Sequence, residues 1–362
     1  MCTTARFRLP ISTASEDCAE ALAEQVRNAA ARRTPLSIVG GGTKAFLGRR
    51  TEGEPLDLSR HRGLIAYEPS ELVITARAGT RLGEIEGLIA RHGQMLAFEP
   101  PRFGEASTIG GTLAAGLSGA RRPFAGAVRD CVLGVTILDG LGRRLRFGGT
   151  VFKNVAGFDV FRLMAGAMGR LGVLLDVSLR LAPAPKAIRT LAFDEPWPAA
   201  QSRLDRLMMT PLPLAGAAHR DGRLFLRLEG GEAGVAEASS KLGGEGLASS
   251  PWDDLRDFKG EVLGAPRLWR LSVPRRAVLD LPGRWLINWA GAERWLVSDA
   301  PTKTIRAAAR DAGGHASLFR GAREGEAVFE PLDDELMALH RRLAGALDPA
   351  GILNPGRIYE DL

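Results

Sequence analysis

The stretch Pro35-Leu-Ser-Ile-Val-Gly-Gly-Gly-Thr-Lys-Ala-Phe-Leu-Gly48 decides how this chain is read. Residues suited to a buried strand, Leu36 to Val39, run directly into three glycines, then a hydroxyl and a cation. Consecutive glycines permit positive φ and let another group lie against bare peptide N–H groups. A phosphate suits such a nest of donors, and a tight surface turn is the alternative. With 44 glycines in 362 residues, the triplet alone leaves both readings open. The window also fits a loose dinucleotide fingerprint, Gly40-x-Gly42-x-x-Ala45. That motif needs a helix opening at the glycines and an acid at the end of the next strand of a βαβ unit. Gly48-Arg-Arg-Thr-Glu-Gly53 reads as a loop and Asp57 follows no such unit, so a Rossmann domain is disfavoured.

Working outward, residues 16–32 carry an amphipathic helix with Ser15 as its N-cap. Strands are expected at Leu56–Leu58, Gly63–Tyr67, Leu72–Ala76, Val132–Leu138 and Arg143–Phe147, the last two joined by the Asp139–Gly142 turn. Thr80 is placed to cap a helix running through Arg91, with Gly93 at its left-handed end. Near Ala182-Pro-Ala-Pro185 the composition changes, because all six tryptophans follow that point. Strand-like runs (224–228, 268–273, 285–289, 294–297) then alternate with helical ones (199–209, 235–242, 302–311). The tryptophans read as core and interface residues of a second α+β domain.

Apolar residues make up 45% and charged ones 25%, as in ordinary globular proteins. No run is long enough to span a membrane, and the first residues lack the apolar core of a secretory signal. The net charge of +6 is spread along the chain, so nucleic-acid binding is not expected. Basic pairs such as Arg121-Arg122 read as solvated faces or partner contacts. Cys2, Cys18 and Cys131 form no CxxC, so the chain cannot assemble an iron–sulfur cluster or structural zinc site from its own thiolates. Sparse cysteine use points to the cytoplasm. The five histidines are scattered without ligand spacing, and no metal site is expected.

Two further glycine-and-hydroxyl elements follow: Ser107-Thr108-Ile109-Gly110-Gly111, and Lys153-Asn154-Val155-Ala156-Gly157-Phe158-Asp159 with Gly169-Arg-Leu171-Gly172-Val173. Three such elements in one domain suggest a long ligand lying across several loops. Together with the Gly126-x-x-Arg-Asp-x-Val-Leu-Gly134 run and the closing Asp348-Pro-Ala-Gly-Ile-Leu-Asn-Pro-Gly-Arg357, the set resembles the FAD-binding domain of the vanillyl-alcohol oxidase/p-cresol methylhydroxylase superfamily. Within it, residues 116–140 and 153–180 look most like FAD-binding subunits of glycolate oxidases.

That resemblance implies an α+β fold: a two-subdomain PCMH-type FAD-binding domain over residues 1–185, a smaller α+β cap over 186–335, and a segment 336–362 returning to the FAD domain. It implies that Gly40, Gly41, Gly42 and Thr43 wrap the FAD pyrophosphate, with Lys44 adding charge. Ser107, Thr108, Ile109, Gly110 and Gly111 would serve the pyrophosphate and isoalloxazine side. Asn154, Gly157, Leu171, Gly172 and Val173 would hold the ribityl and adenine parts, and Asn354 would bring the tail back. Neither Thr43 nor the 107–111 segment offers a histidine or cysteine for covalent attachment, so FAD is expected to be non-covalent. Many catalytic relatives read S-E-G-T-L-G where this chain has Ala167-Met-Gly-Arg-Leu-Gly172. Their HxGDGNxH-like motif is also absent: Gly313-Gly-His315-Ala-Ser317 has no counterpart for its acid, asparagine or second histidine, which leaves His315 and Arg320 as weak candidates and no catalytic residue assigned.

The expected role is an FAD-carrying subunit of a glycolate oxidase complex. It would work beside a catalytic flavoprotein subunit and an iron–sulfur subunit on small 2-hydroxy acids, meeting a membrane only through that complex. A self-sufficient 2-hydroxy acid dehydrogenase and a flavin-free structural subunit are the alternatives.

Overall fold

The computed structural model describes residues 15–150, 158–248 and 251–362. Leu36–Val39 pairs in parallel with Glu54–Asp57, in register Leu36 to Glu54 and Val39 to Asp57. A loop rather than a helix joins them, which removes the βαβ unit a Rossmann domain requires. A five-stranded antiparallel sheet follows, ordered Leu64–Glu68, Val73–Arg77, Val173–Arg180, Val132–Leu138, Arg144–Gly148. Its middle strand, Val173–Arg180, is buried at every position but the last, as a strand covered on both faces must be. The helices Ala19–Arg32 and Leu82–Ala90 contribute Leu22, Val26, Leu82, Ile85 and Ile89 to the same core.

An eight-stranded antiparallel sheet occupies the tryptophan-bearing part. Its order is Glu245–Gly246, Ala187–Asp194, Arg223–Gly230, Leu214–Arg220, Arg284–Asn288, Glu293–Val297, Leu268–Ser272, His315–Arg320. The expected runs at 224–228 and 294–297 fall within its strands, and those at 268–273 and 285–289 overrun theirs by one residue, at Val273 and Trp289. Ala187–Asp194 and Leu214–Arg220 were not foreseen; each lies beside Arg223–Gly230 and takes its order from that pairing. Trp252, Trp269, Trp289 and Trp295 are buried.

Two local expectations are corrected. The first helix starts at Ala19, because Glu16 is held in an antiparallel bridge to Arg62. Thr80 caps nothing: its hydroxyl is buried and hydrogen-bonds both the N–H and the carbonyl of Gly63, so the next helix opens at Leu82.

The basic pair Arg121-Arg122 is also not a solvated face. Arg121 pairs with Glu229 at 2.6 Å, and Arg122 lies over the Trp289 ring at 4.1 Å. Arg227 forms a bidentate pair with Glu99 at 2.6 and 2.9 Å, and Trp289 Nε1 donates to the Gly119 carbonyl. These contacts fasten the eight-stranded sheet to Glu99 and to residues 119–122, which follow the 107–115 segment.

The last residues complete the first core. Leu36 N–H donates to Ile352 O at 2.7 Å, and Asn354 N–H donates back to Leu36 O at 3.0 Å. Ile352 and Leu353 are buried among residues of the five-stranded half. Asp348 anchors the turn into this segment: its carboxylate is wholly buried, pairs with Arg170 at 2.7 Å, and accepts the N–H groups of Ile352 and Leu353. Removing one partner of a buried ion pair strands the other charge, at about 3–5 kcal/mol. Asp348→Ala is therefore expected to lower unfolding free energy by about that amount in urea titration of the full chain. A loss below about 1 kcal/mol would show the pair to be energetically like a surface bridge.

Candidate cofactor-binding site

A cavity of about 200 Å³ opens at the end of the Leu36–Val39 strand. Gly40, Gly41, Gly42, Thr43 and Lys44 line it on one side, Thr108, Gly110 and Gly111 on another, and Gly172 and Asn354 close it. Sequence elements far apart in the chain therefore meet around one space.

The reason for each glycine is not uniform. A Cβ on Gly41 would sit 1.6 Å from Ala106 O, and one on Gly40 would sit 2.8 Å from Thr108 Oγ1. Those two positions are bare because two loops touch there. Gly42 alone needs glycine for its backbone, with φ +68° and open space beyond. Among the described residues, the backbone N–H groups from Gly40 through Lys44 donate to no protein acceptor. Uncommitted amides beside a cavity are the donors an anion can take.

Lys44 adds a charge without a counter-charge. Its Nζ donates to Ser107 Oγ at 2.6 Å and lies 5.7 Å from the Phe103 ring centre, and no carboxylate pairs with it among the described residues. Burial pulls its ammonium down to about 8. The lining includes Arg357 as a second cation and no aspartate, glutamate, histidine, cysteine or tyrosine. Free amides, two unpaired cations and no acid fit a diphosphate, and therefore the phosphate end of FAD.

Within the 107–111 segment, Thr108, Gly110 and Gly111 reach the lining while Ser107 and Ile109 do not. Thr108 is the N-cap of the short helix Ile109–Ala115, its hydroxyl accepting Gly111 N–H. Ile109 N–H is committed to Thr80 O and Gly110 N–H to Ala78 O. Ser107 and Ile109 are buried outside the lining, Ser107 as the Lys44 partner and Ile109 as core. Leu171 and Val173 likewise pack against or within the core rather than lining the cavity. Asn154 and Gly157 lie outside the described residues.

The 167–172 departure from relatives acquires a structural use. Met168 and Gly169 line the cavity, and Arg170 turns inward to Asp348. Asn354 bridges the walls: its Oδ1 accepts Ile38 N–H at 2.7 Å and its Nδ2 donates to Met168 O at 2.6 Å. Gly169 must be glycine, since a Cβ there would lie 2.6 Å from Asn354 Nδ2. Ala114, Ala115 and Arg357 are lining residues that sequence reasoning missed. Arg357 stood in the quoted tail motif, and its charge next to Gly356 was the available signal. His315 and Arg320 stand apart from the cavity on the edge strand, with Arg320 bonded to the carbonyls of Leu263 and Ala265.

The Lys44 environment makes opposite demands on pH. In the unliganded chain its folded value, about 8, lies below the ordinary 10.5, so the unfolded state binds more protons between them. Stability of the unliganded chain should therefore rise as pH increases across that window. A diphosphate favours the ammonium, so FAD affinity should fall over the same window. Lys44→Met is expected to flatten both trends, read by thermal melts and flavin fluorescence titration; parallel rather than opposite trends would remove Lys44 from the phosphate site. Gly41→Val should abolish FAD retention by pushing the 40–44 loop off Ala106, since the obstacle is that carbonyl rather than a positive φ. Unchanged retention would refute the loop's role.

Comparison with known proteins places these features in a family. Residues 15–148 match the FAD binding domain model FAD_binding_4, and residues 321–358 match the C-terminal domain model of FAD linked oxidases. The tail that closes the cavity thus falls within a matched domain of its own. Glycolate oxidase subunit GlcE of Escherichia coli K12 is 47% identical over 96% of this chain and 99% of its own length. Glycolate oxidase subunit GlcD of Bacillus subtilis 168 is 32% identical over 44% of this chain and 34% of its own length. A solved alkyldihydroxyacetonephosphate synthase superposes with TM-score 0.63 at 16% identity, covering 93% of this chain and 74% of that one, which establishes the shared fold. The α+β architecture expected from sequence is that fold, and the chain belongs to the GlcE family of glycolate oxidase subunits, FAD-linked oxidoreductases with a PCMH-type FAD-binding domain.

Proposed function

We propose that this chain binds FAD non-covalently at the 40–44 loop and passes electrons within a glycolate oxidase complex. Substrate oxidation would occur on a catalytic flavoprotein subunit and the electrons would leave through an iron–sulfur subunit. The carrying observation is the run of uncommitted amides from Gly40 to Lys44 beside two unpaired cations. In this reading Gly40, Gly41, Gly42, Thr43 and Lys44 hold the diphosphate. Thr108, Gly110, Gly111, Gly172 and Asn354 shape the walls, while Ser107, Ile109, Leu171 and Val173 support them from behind. Asn154 and Gly157 remain proposed contacts. The domain division at 185 and 335 is kept, with the tail serving the first part.

FAD supplies a hydride and electron acceptor when bound; the protein's own residues decide what reaches it. Oxidising a 2-hydroxy acid requires a base for the hydroxyl proton and a cation for the carboxylate. The described cavity lining has no carboxylate or imidazole to serve as that base, and the one group drawn toward neutrality, Lys44, is assigned here to the diphosphate. On the side facing the eight-stranded sheet, Phe46 leads into a packed set of rings formed with Phe103, Phe258, Trp295 and Phe319, at centroid separations of 4.6 to 6.3 Å. These rings carry cations, Arg320 at 5.1 Å from the Phe46 centre and Lys44 at 5.7 Å from the Phe103 centre, and supply no base for a hydroxyl proton. These features favour a subunit that relays electrons over one that oxidises substrate alone.

Anaerobic addition of glycolate to the isolated, FAD-loaded chain is expected to leave the flavin absorbance unchanged. The same addition to the reconstituted complex should bleach it. Bleaching of the isolated chain would overturn the relay role in favour of a self-sufficient dehydrogenase. Failure to retain any flavin after incubation with FAD would leave a structural subunit.

A further inference from the structure

Arg357 lies on the C-terminal tail, yet it lines the same cavity as the glycine loop. Its Nη1 donates to Arg49 O at 2.8 Å and its Nη2 to Ala45 O at 3.2 Å. Those carbonyls orient the guanidinium without neutralising it, and a guanidinium has further donors to spare. No carboxylate lies within ion-pair distance of this half-buried guanidinium among the described residues, whereas the buried Arg170 and Arg227 each have one. Burial pulls its proton affinity down.

The tail around it is zipped to the loop that carries the free amides. Arg49 N–H donates to Arg357 O at 2.9 Å, and a Cβ on Gly48 would approach that oxygen to 2.9 Å. Upstream, Asn354 ties the tail to Ile38 and Met168. The loop and the tail thus share one set of bonds, and the unneutralised charge sits at their junction.

We propose that Arg357 is a second cation of the cofactor's diphosphate site and couples docking of the C-terminal tail to cofactor binding. This rests on the reading that the cavity takes the phosphate end of FAD. An incoming diphosphate supplies the counter-charge that Arg357 lacks, holding the tail against the 45–49 loop. A bound cofactor therefore stabilises the tail, and a docked tail strengthens cofactor binding, as reciprocal linkage requires.

The test uses the full chain, with FAD and ADP binding followed by titration calorimetry at several salt concentrations. Arg357→Gln should weaken both ligands about tenfold, the scale of one charge-assisted hydrogen-bonding group, and make affinity less salt-dependent. Arg357→Lys keeps the charge while losing the two-carbonyl geometry, so it should retain most of the affinity. FAD should slow carboxypeptidase removal of the tail in the parent chain and Arg357→Lys, but not in Arg357→Gln. Equal weakening in Arg357→Gln and Arg357→Lys, with salt dependence intact, would overturn the assignment and make Arg357 a structural tether. If Gly41→Val abolishes binding while Arg357→Gln leaves it unchanged, the cavity reading stands and the Arg357 assignment falls. If neither substitution affects binding, both fall.

Discussion

Everything near the cavity depends on a seam between residues more than three hundred positions apart. Leu36 exchanges hydrogen bonds with Ile352 and Asn354, and the Asn354 side chain reaches Ile38 on one wall and Met168 on the other. Closing so long a loop has an entropic cost, although it grows slowly with length. Buried bonding offsets it: two backbone bonds, the Asp348–Arg170 pair, and the burial of Ile352 and Leu353. Without the seam, the glycine loop would have support from only one side. With it, the loop is held between the five-stranded half and the tail.

The cavity gains its chemistry from what that support leaves unfinished. A folded chain normally commits nearly all of its buried backbone donors. The segment from Gly40 to Lys44 is half-buried, with Gly42 exposed; its amides donate to no protein acceptor, and Lys44 and Arg357 have no carboxylate partner among the described residues. These are local deficits that an anionic cofactor can repair. The same region keeps acids out of the lining, so the field is uniformly favourable to phosphate. Toward the eight-stranded sheet, a packed set of aromatic rings follows, with the Arg320 guanidinium over Phe46.

Much of the fold was legible from short-range pattern. The strand at Leu36–Val39, the hairpin around Asp139–Gly142 and the helix ending at Asp311 each follow from alternation, turn chemistry or helical period, which are local properties. Expectations failed where a distant partner overrode the local preference. Glu16 left the helical register to bridge Arg62, and Thr80 gave its hydroxyl to Gly63 instead of a helix terminus. Arg121 and Arg122 turned inward because Glu229 and Trp289 lie beneath them. No window of sequence around those residues contains the partner that decided their fate.

By itself, the sequence determined where glycine-rich loops, a following lysine and a terminal Asn-Pro-Gly-Arg stand along the chain, residue types that suit close backbone approach and anion binding, and their resemblance to an FAD-linked family tied them to one cofactor. Only the tertiary structure decided which of those residues face the cavity. Ile109 and Val173 went to the core while Gly40 and Gly172 stayed at the edge, and Gly41 proved bare for the sake of Ala106. It also brought Arg357 to the site across the length of the chain. The physical reason is the same in each case: motif spacing records residue type along the chain, whereas facing, burial and charge pairing depend on neighbours that folding supplies.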